Sequence, residues 1–335
     1  MTTFSLGGLT VYGYGLALAC AAALCLLLAA RGFRRAGLRA DSLSLFAVLA
    51  LPLGVLCARA LYCLIRFNWF AAKGFPYLFH LTEGGFVLYG AMGGCVLAAL
   101  LAARLSHQSA AKMLDALSVP AAVMIALSRL AEGLAGQGYG WYVVDWFDPD
   151  MGMSLFHPEQ FDALLRFPFA VQDSYEEWRW AVFVIEALIA LAIAAALLRA
   201  KPRRDGGRAM LFVLMYSAMQ ALGESLRQDA VLRWGFVRVS QVLSAVIVAA
   251  LLLACCMKAP RGSGKRIACC WVGTLCAMLM VIAMEFALEK KIVFLEFLPM
   301  DVCYAVMALS CVGLILAVRP MWALAFPTRK EAPLA

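Results

Sequence analysis

The chain has 335 residues, of which 64% are hydrophobic and only 15% charged. Soluble domains are about 45–50% apolar and about 25% charged, so a water-soluble globule, a disordered chain and a secreted disulfide scaffold are excluded. The formal net charge of +8 admits a nucleic-acid partner until the positions of the charges are considered.

A bilayer span takes about 20 apolar residues. Runs of this kind fall near residues 9–30, 43–66, 86–103, 113–134, 179–198, 209–226, 236–257, 267–288 and 301–318. Backbone groups in lipid must be satisfied within the segment, so nine helices are predicted. The runs are continuous rather than alternating, which excludes a barrel. The expected fold class is therefore all-α, a polytopic membrane helix bundle. The first run lacks a basic start and a cleavage site and reads as a span, not a removable signal peptide. No inverted repeat of the transporter kind is visible.

The connecting segments alternate in charge. Arg31, Arg34, Arg35 and Arg39 follow the first span, and Arg104 and Lys112 the third. Arg199, Lys201, Arg203, Arg204 and Arg208 follow the fifth. Lys258, Arg261, Lys265 and Arg266 follow the seventh, and Arg319, Arg329 and Lys330 the ninth. These are most of the 29 basic residues. The positive-inside rule then puts the N-terminus outside and the C-terminus in the cytoplasm. The excess charge is topological, and no nucleic-acid partner is expected. The twelve cysteines lie in apolar runs without a CxxC pair and read as small packing residues. The three histidines are too scattered for zinc. No metal and no cofactor are expected.

Residues 135–178 form a long outer segment rich in aromatics and acids, among them Tyr139, Trp141, Tyr142, Asp145 and Trp146. It is expected to be a folded interfacial cap.

Ionisable groups at membrane depth are costly, and each is a functional candidate. Arg129 lies late in the fourth span, followed by Glu132; Glu224 and Arg227 lie three apart near the outer end of the sixth. Arg59 falls in the second span, Glu186 in the fifth, and Asp115 at the inner start of the fourth. For Arg129 the plain alternative is snorkelling to the headgroups; for Glu224 and Arg227 it is a structural ion pair on one helical face. All but Asp115 fall in the outer half of the bilayer. Arginines and glutamates gathered there can hold an anionic lipid headgroup, since guanidinium matches phosphate in a bidentate way. The glycines of residues 83–94 and a second group, Gly133, Gly136, Gly138 and Gly140, suit either tight helix packing or close approach of a lipid.

This constellation resembles the bacterial prolipoprotein diacylglyceryl transferase family over about residues 9–250. Val11-Tyr12-Gly13 is similar to its Trp-Tyr-Gly, and Arg59 with Tyr62 to its Gly-Gly-Arg-x-x-Tyr. Glu83-Gly84-Gly85 with Tyr89-Gly90 is similar to Asp-Gly-Gly-x-x-x-His-Gly-Gly. Asp115 and Arg129 match the pair that brackets the signature span. Arg129 to Gly140 resembles Arg-x-Gly-Asn-x-x-Asn-Gly-Glu-x-x-Gly. Tyr216, Glu224 and Arg227 fit Tyr-x-x-x-Arg-x-x-x-Glu-x-x-Arg, and residues 239–244 are similar to Met-Gly-Gln-x-Leu-Ser. The departures are specific. Tyr89 stands where the family has histidine, and Gln220 where it has a second arginine. Glu132 and Ala135 replace asparagines, and Gln137 replaces the signature glutamate. The fifth-span motif is broken: His157-Pro158-Glu159-Gln160 resembles its start but precedes the span, and Glu186 is a candidate for its glutamate.

The resemblance implies a seven-span transferase-like core over residues 1–257 and two additional helices with a short tail over 258–335. It implies transfer of a diacylglyceryl group from phosphatidylglycerol to the lipobox cysteine of a prolipoprotein, at the outer face of a bacterial plasma membrane. Phosphatidylglycerol, prolipoprotein signal peptides and membrane lipids are the implied partners. Arg129, Tyr89, Glu224 and Arg227 carry over as catalytic. Tyr12, Gly84, Gly85, Gly90, Glu132, Gln137, Gly140, Tyr216 and Gln220 carry over as substrate-binding. Arg129 would meet the phosphate, and Arg227 would hold a headgroup hydroxyl or orient the site. Tyrosine has an ordinary pKa near 10, so Tyr89 is a poor base and a better hydrogen-bond donor. Two other readings fit the residues: an impaired transferase-like protein that binds lipid or lipoprotein, and a multi-span transporter. The transporter predicts paired repeats and midplane charges; the retained Arg129, Asp115, Glu224 and Arg227 favour the enzyme.

Overall fold

A computed structural model describes residues 3–6, 9–80, 84–147, 165–202, 204–228, 232–234, 237–260 and 262–327. Among these residues, nine helices are long and apolar enough to cross a membrane. The expected helical bundle is what the structure shows, and the only strands described are short two-stranded pairs. The first helix starts at Gly13, because residues 9–12 of the first apolar run pair with residues 3–6 as a hairpin. The chain divides into two compact units, residues 24–120 and residues 1–23 with 121–335.

The smaller unit holds most of α1 (Gly13–Ala36), α2 (Ala40–Ile65), α3 (Phe67–Lys73), α4 (Leu88–Leu105) and the start of α5 (Ala110–Leu134). Helices α2 and α4 pack closely because α4 presents small residues. Gly90, Gly94 and Ala98 are buried on it, and a Cβ added at Gly90 would lie 2.5 Å from the Cys57 carbonyl oxygen. Small-residue contacts of this kind let helix backbones meet in lipid, where hydrophobic burial gives no drive. Gly93, on another face of α4, has nothing within 4 Å of its would-be Cβ. Gly90→Ala is therefore expected to destabilise the protein by about 1–3 kcal/mol by overpacking, read as a lower thermal midpoint in detergent. Gly93→Ala should leave the midpoint level or raise it. Equal midpoints for the two variants would remove the packing role.

Arg59 is spent within this unit. It is 3% exposed, and its guanidinium donates to the carbonyls of Gly84, Gly85, Tyr77 and His80. The loop before α4 is thus tied back to α2. Gly84 and Gly85 both take positive φ there (74° and 78°), and a Cβ at Gly85 would strike the Tyr62 ring. These glycines answer to backbone conformation and close approach.

The larger unit opens with the β1–β2 hairpin (Thr3–Leu6, Leu9–Tyr12). After α5 comes a short α6 (Val143–Phe147) and the pair β3 (Ala170–Gln172) and β4 (Trp178–Trp180). The helices α7 (Val182–Arg199) and α8 (Gly207–Leu226) follow. The pair β5 (Arg233–Trp234) and β6 (Val237–Arg238) leads into α9 (Val239–Met257), α10 (Gly264–Leu288) and α11 (Met300–Ala325). Helix α8 is central: it packs against α7, α9 and α11. Leu214, Val248, Leu252, Val318 and Met321 form one core among α8, α9 and α11. Leu222, Met284, Cys303 and Met307 form a second among α8, α10 and α11. Of the segment 135–178, the described part is folded. Trp146 of α6 stacks on Tyr304 of α11 at 5.3 Å, and its indole N–H donates to Asp301.

Candidate functional site

Four charged side chains meet in the larger unit, drawn from α5, α7 and the end of α8. Arg129 Nη1 donates to Glu132 Oε1 at 2.7 Å, and its Nε faces Glu186 Oε2 at 3.5 Å. Arg227 Nη1 donates to the same Glu186 Oε2 at 3.1 Å, and its Nη2 donates to Glu132 Oε2. Each carboxylate therefore bridges both guanidiniums. All four side chains are 14% exposed or less. Burying charges is tolerable only when they are paired and hydrogen-bonded, and the alternating order supplies that.

Local structure places each member. Helix α5 ends in a Schellman turn. Gln137 N donates to the Glu132 carbonyl at 3.0 Å and Gly136 N to that of Gly133 at 3.3 Å, with Gly136 at φ 71°. Glycine is the natural residue at that left-handed position. The turn fixes Glu132 three residues from Arg129 on one helical face. The chain then runs past α7 through Gly138, whose φ is 79° and whose would-be Cβ lies 2.7 Å from Phe183 and 3.3 Å from Glu132 Oε2. Any side chain there would press on the glutamate that joins both arginines. Gly140 is equally confined: an added Cβ would lie 2.7 Å from Val182. Its carbonyl accepts from Arg179 Nε at 3.1 Å.

Helix α8 adds a polar ladder one turn apart. Tyr216 Oη donates to Gln220 Oε1 at 2.7 Å, and Gln220 Nε2 donates to Glu224 Oε2 at 3.2 Å. Tyr216 also hydrogen-bonds Arg129. A small void lies against this ladder, lined by Ile125, Arg129, Glu186, Tyr216, Gln220 and Gly223 among others. Glu186 Oε1 is buried there with no hydrogen-bond partner among the described residues. An unsatisfied buried carboxylate oxygen is costly, and such exceptions mark places where a water, proton or ligand group belongs.

Of the residues singled out from sequence, the structure brings together Arg129, Glu132, Tyr216, Gln220, Glu224 and Arg227. The pair expected on one face, Glu224 with Arg227, is replaced: Arg227 follows the last helical residue, Leu226, in extended conformation and turns to Glu132 and Glu186. Gln137 is exposed. Tyr12 is 57% exposed at the end of β2, whereas Tyr14, two residues on, lies within electrostatic reach of Glu132, Arg129 and Arg227. Tyr89 sits half-buried in the first turn of α4, in the smaller unit with Gly84, Gly85, Gly90 and Asp115. Glu83 and residues 157–160 lie outside the described residues. Tyr14 was not singled out from sequence, Gly138 only within a glycine group suited to helix packing or lipid approach, and Glu186 as an ionisable group at membrane depth and a candidate for the fifth-span glutamate. For Tyr14 the signal was ambiguous, since Val11-Tyr12-Gly13-Tyr14-Gly15 holds two Tyr-Gly pairs. Among the described residues, no group of three His, Cys, Asp or Glu is arranged to hold a metal ion. The cluster is charge-balanced: two guanidiniums are held in fixed planes by two shared carboxylates.

Comparison with known proteins follows the same lines. A family model described as prolipoprotein diacylglyceryl transferase matches residues 1–257. Among similar proteins is the phosphatidylglycerol–prolipoprotein diacylglyceryl transferase of Clostridioides difficile (strain 630). It is 25% identical over 245 residues, which is 72% of this chain and 89% of that protein. The Shouchella clausii protein of the same name is 27% identical over 249 residues, 74% of this chain and 86% of its own length. That of Symbiobacterium thermophilum is 27% identical over 264 residues, 77% of this chain and 93% of its own.

Proposed function

Because this chain belongs to the prolipoprotein diacylglyceryl transferase family, we propose that the buried arginine–glutamate cluster is where it performs the family's reaction. It is a multi-pass membrane transferase of lipoprotein maturation, and its substrates are phosphatidylglycerol and prolipoprotein. In the reaction a cysteine thiol gives up its proton and its sulfur bonds to the diacylglyceryl carbon. The bond from that carbon to the phosphate oxygen breaks, and glycerol phosphate leaves.

The observation that carries the assignment is the pair of guanidiniums, Arg129 and Arg227, locked by the same two carboxylates. Negative charge grows on the leaving phosphate in the transition state, and preorganised donors stabilise it best where water is scarce. Arg129 meets the phosphate. Arg227 holds the headgroup or orients it, and Glu132 and Glu186 keep both guanidinium planes from reorganising. Tyr216, Gln220 and Glu224 offer further hydrogen-bonding groups to a glycerol headgroup. Tyr89 lies in the smaller unit, and its role as a donor rather than a base rests on the motif alone.

The accepting cysteine lies in the lipobox of a signal peptide, and the acyl chains stay in the surrounding lipid. Basic residues close the last turns of α1, α4 and α7, as Arg34, Arg35, Arg104 and Arg199. These ends belong on the cytoplasmic side, which supports an outer N-terminus, a cytoplasmic C-terminus and a cluster on the outer side. Residues 1–257 form the transferase core in this reading, and residues 258–335 are an addition to it.

The test is direct. Purified full-length protein in phosphatidylglycerol vesicles is mixed with a lipobox peptide, and the peptide mass is followed. A diacylglyceryl adduct on the cysteine is expected. No adduct, with phosphatidylglycerol still bound, would replace this reading with that of a lipid-binding relative that has lost turnover.

A further inference from the structure

We propose that Glu285, on the appended helix α10, is a positioning residue for the transferase site, acting through Arg238 on the end of α8. The inference rests on the function proposed above. Glu285 lies beyond residue 257, where the family match ends, so it assigns the additional helices a part in the reaction.

The argument starts from α8. A helix end leaves its last carbonyls without intrahelical partners, and here that end is buried: Glu224 and Ser225 are 7% and 1% exposed. Arg238 supplies the donors. Its Nη1 donates to the carbonyl of Glu224 and, at 3.0 Å, to that of Arg227. Tyr304 of α11 donates to the Ser225 carbonyl at 3.2 Å. A cation at a helix C-terminus also suits the negative end of the helix dipole. The backbone that carries Glu224 and Arg227 is therefore held from behind by Arg238.

Arg238 is itself 3% exposed, so it needs a counter-charge. Glu285 provides it, accepting from Arg238 Nε at 2.8 Å on Oε1. The other oxygen, Oε2, accepts from Ser225 Oγ at 2.6 Å and from Gln241 Nε2 at 3.1 Å. Gln241 also donates to the Ala221 carbonyl at 3.2 Å. One carboxylate thus gathers α8, the β6–α9 junction and α10 around the residues next to Arg227. A second acid just past the same helix, Glu289, pairs with Arg233 at 3.0 Å, and among the described residues it has no hydrogen bond or ion pair to α8's end. It is the built-in control.

The test compares full-length variants in phosphatidylglycerol vesicles with a lipobox peptide. Glu285→Gln is expected to lower kcat by roughly tenfold or more, the scale of a misplaced catalytic geometry, with KM for the peptide unchanged. Glu289→Gln should keep wild-type kcat. The double variant Glu285→Gln, Arg238→Leu leaves no unpaired buried charge, so its thermal midpoint should recover while its kcat stays low. Recovery of both would make the pair merely structural and overturn the proposal. Wild-type kcat in Glu285→Gln would overturn it too, as would loss of folding in both the single and the double variant. An inactive wild-type chain would sink the functional reading and this inference with it. An active wild-type chain beside an equally active Glu285→Gln variant sinks the inference alone.

Discussion

Arg129→Ala should lower diacylglyceryl transfer by about two to three orders of magnitude, the usual loss when one preorganised donor to developing charge is removed. The loss should fall on kcat more than on KM, because the phosphate carries most charge as it leaves. Arg129→Lys should restore only part of it. A lysine ammonium cannot reproduce the fork that meets Glu132 through Nη1 and Glu186 through Nε. Single-turnover mass measurements on the lipobox peptide check both variants. Transfer by Arg129→Ala at the wild-type rate would remove Arg129 from the site.

Arg227→Ala should show a large effect on stability as well as on transfer. It leaves Glu132 and Glu186 sharing one guanidinium in a buried place, and breaking such a network costs about 3–5 kcal/mol. Adding Glu132→Gln removes the surplus negative charge, so the double variant should regain most of the lost thermal midpoint. Transfer should stay low in both, since the headgroup contact is still missing. A double variant no more stable than Arg227→Ala would show that the four side chains do not act as one network. Non-additivity of the two substitutions is the quantitative form of the same test.

The spans were legible because lipid imposes a simple rule. Backbone must be helical and side chains apolar over about 20 residues, and all nine runs read from composition are helices in the structure. Three runs start in short strands, at residues 9–12, 179–180 and 237–238, which apolar content alone does not distinguish from a helix start. Charged residues inside the runs were equally legible as candidates, because burying them in lipid is costly. Arg129, Glu132, Glu186 and Arg227 do meet. Arg59 met the same criterion yet is occupied with loop carbonyls. Glu285 carries that signal too, as an acid inside the eighth run. Its position beyond the resemblance hid its relation to Arg238.

The sequence by itself determined the solvent of this protein, the number and kind of its spans, its family and the short set of charges that must be paired. Those follow from local quantities: hydropathy over one span, motif spacing, the cost of a charge in lipid. Only the tertiary structure decided the partners. Arg227 turns from Glu224 to Glu132 and Glu186, Gly90 packs against α2, and Glu285 closes on Arg238. These choices join residues 33 to 95 positions apart and depend on how helices pack, which neither composition nor spacing along one helix encodes. The net charge of +8 sits mainly in the connecting segments, and the proposed site holds two arginines balanced by two glutamates.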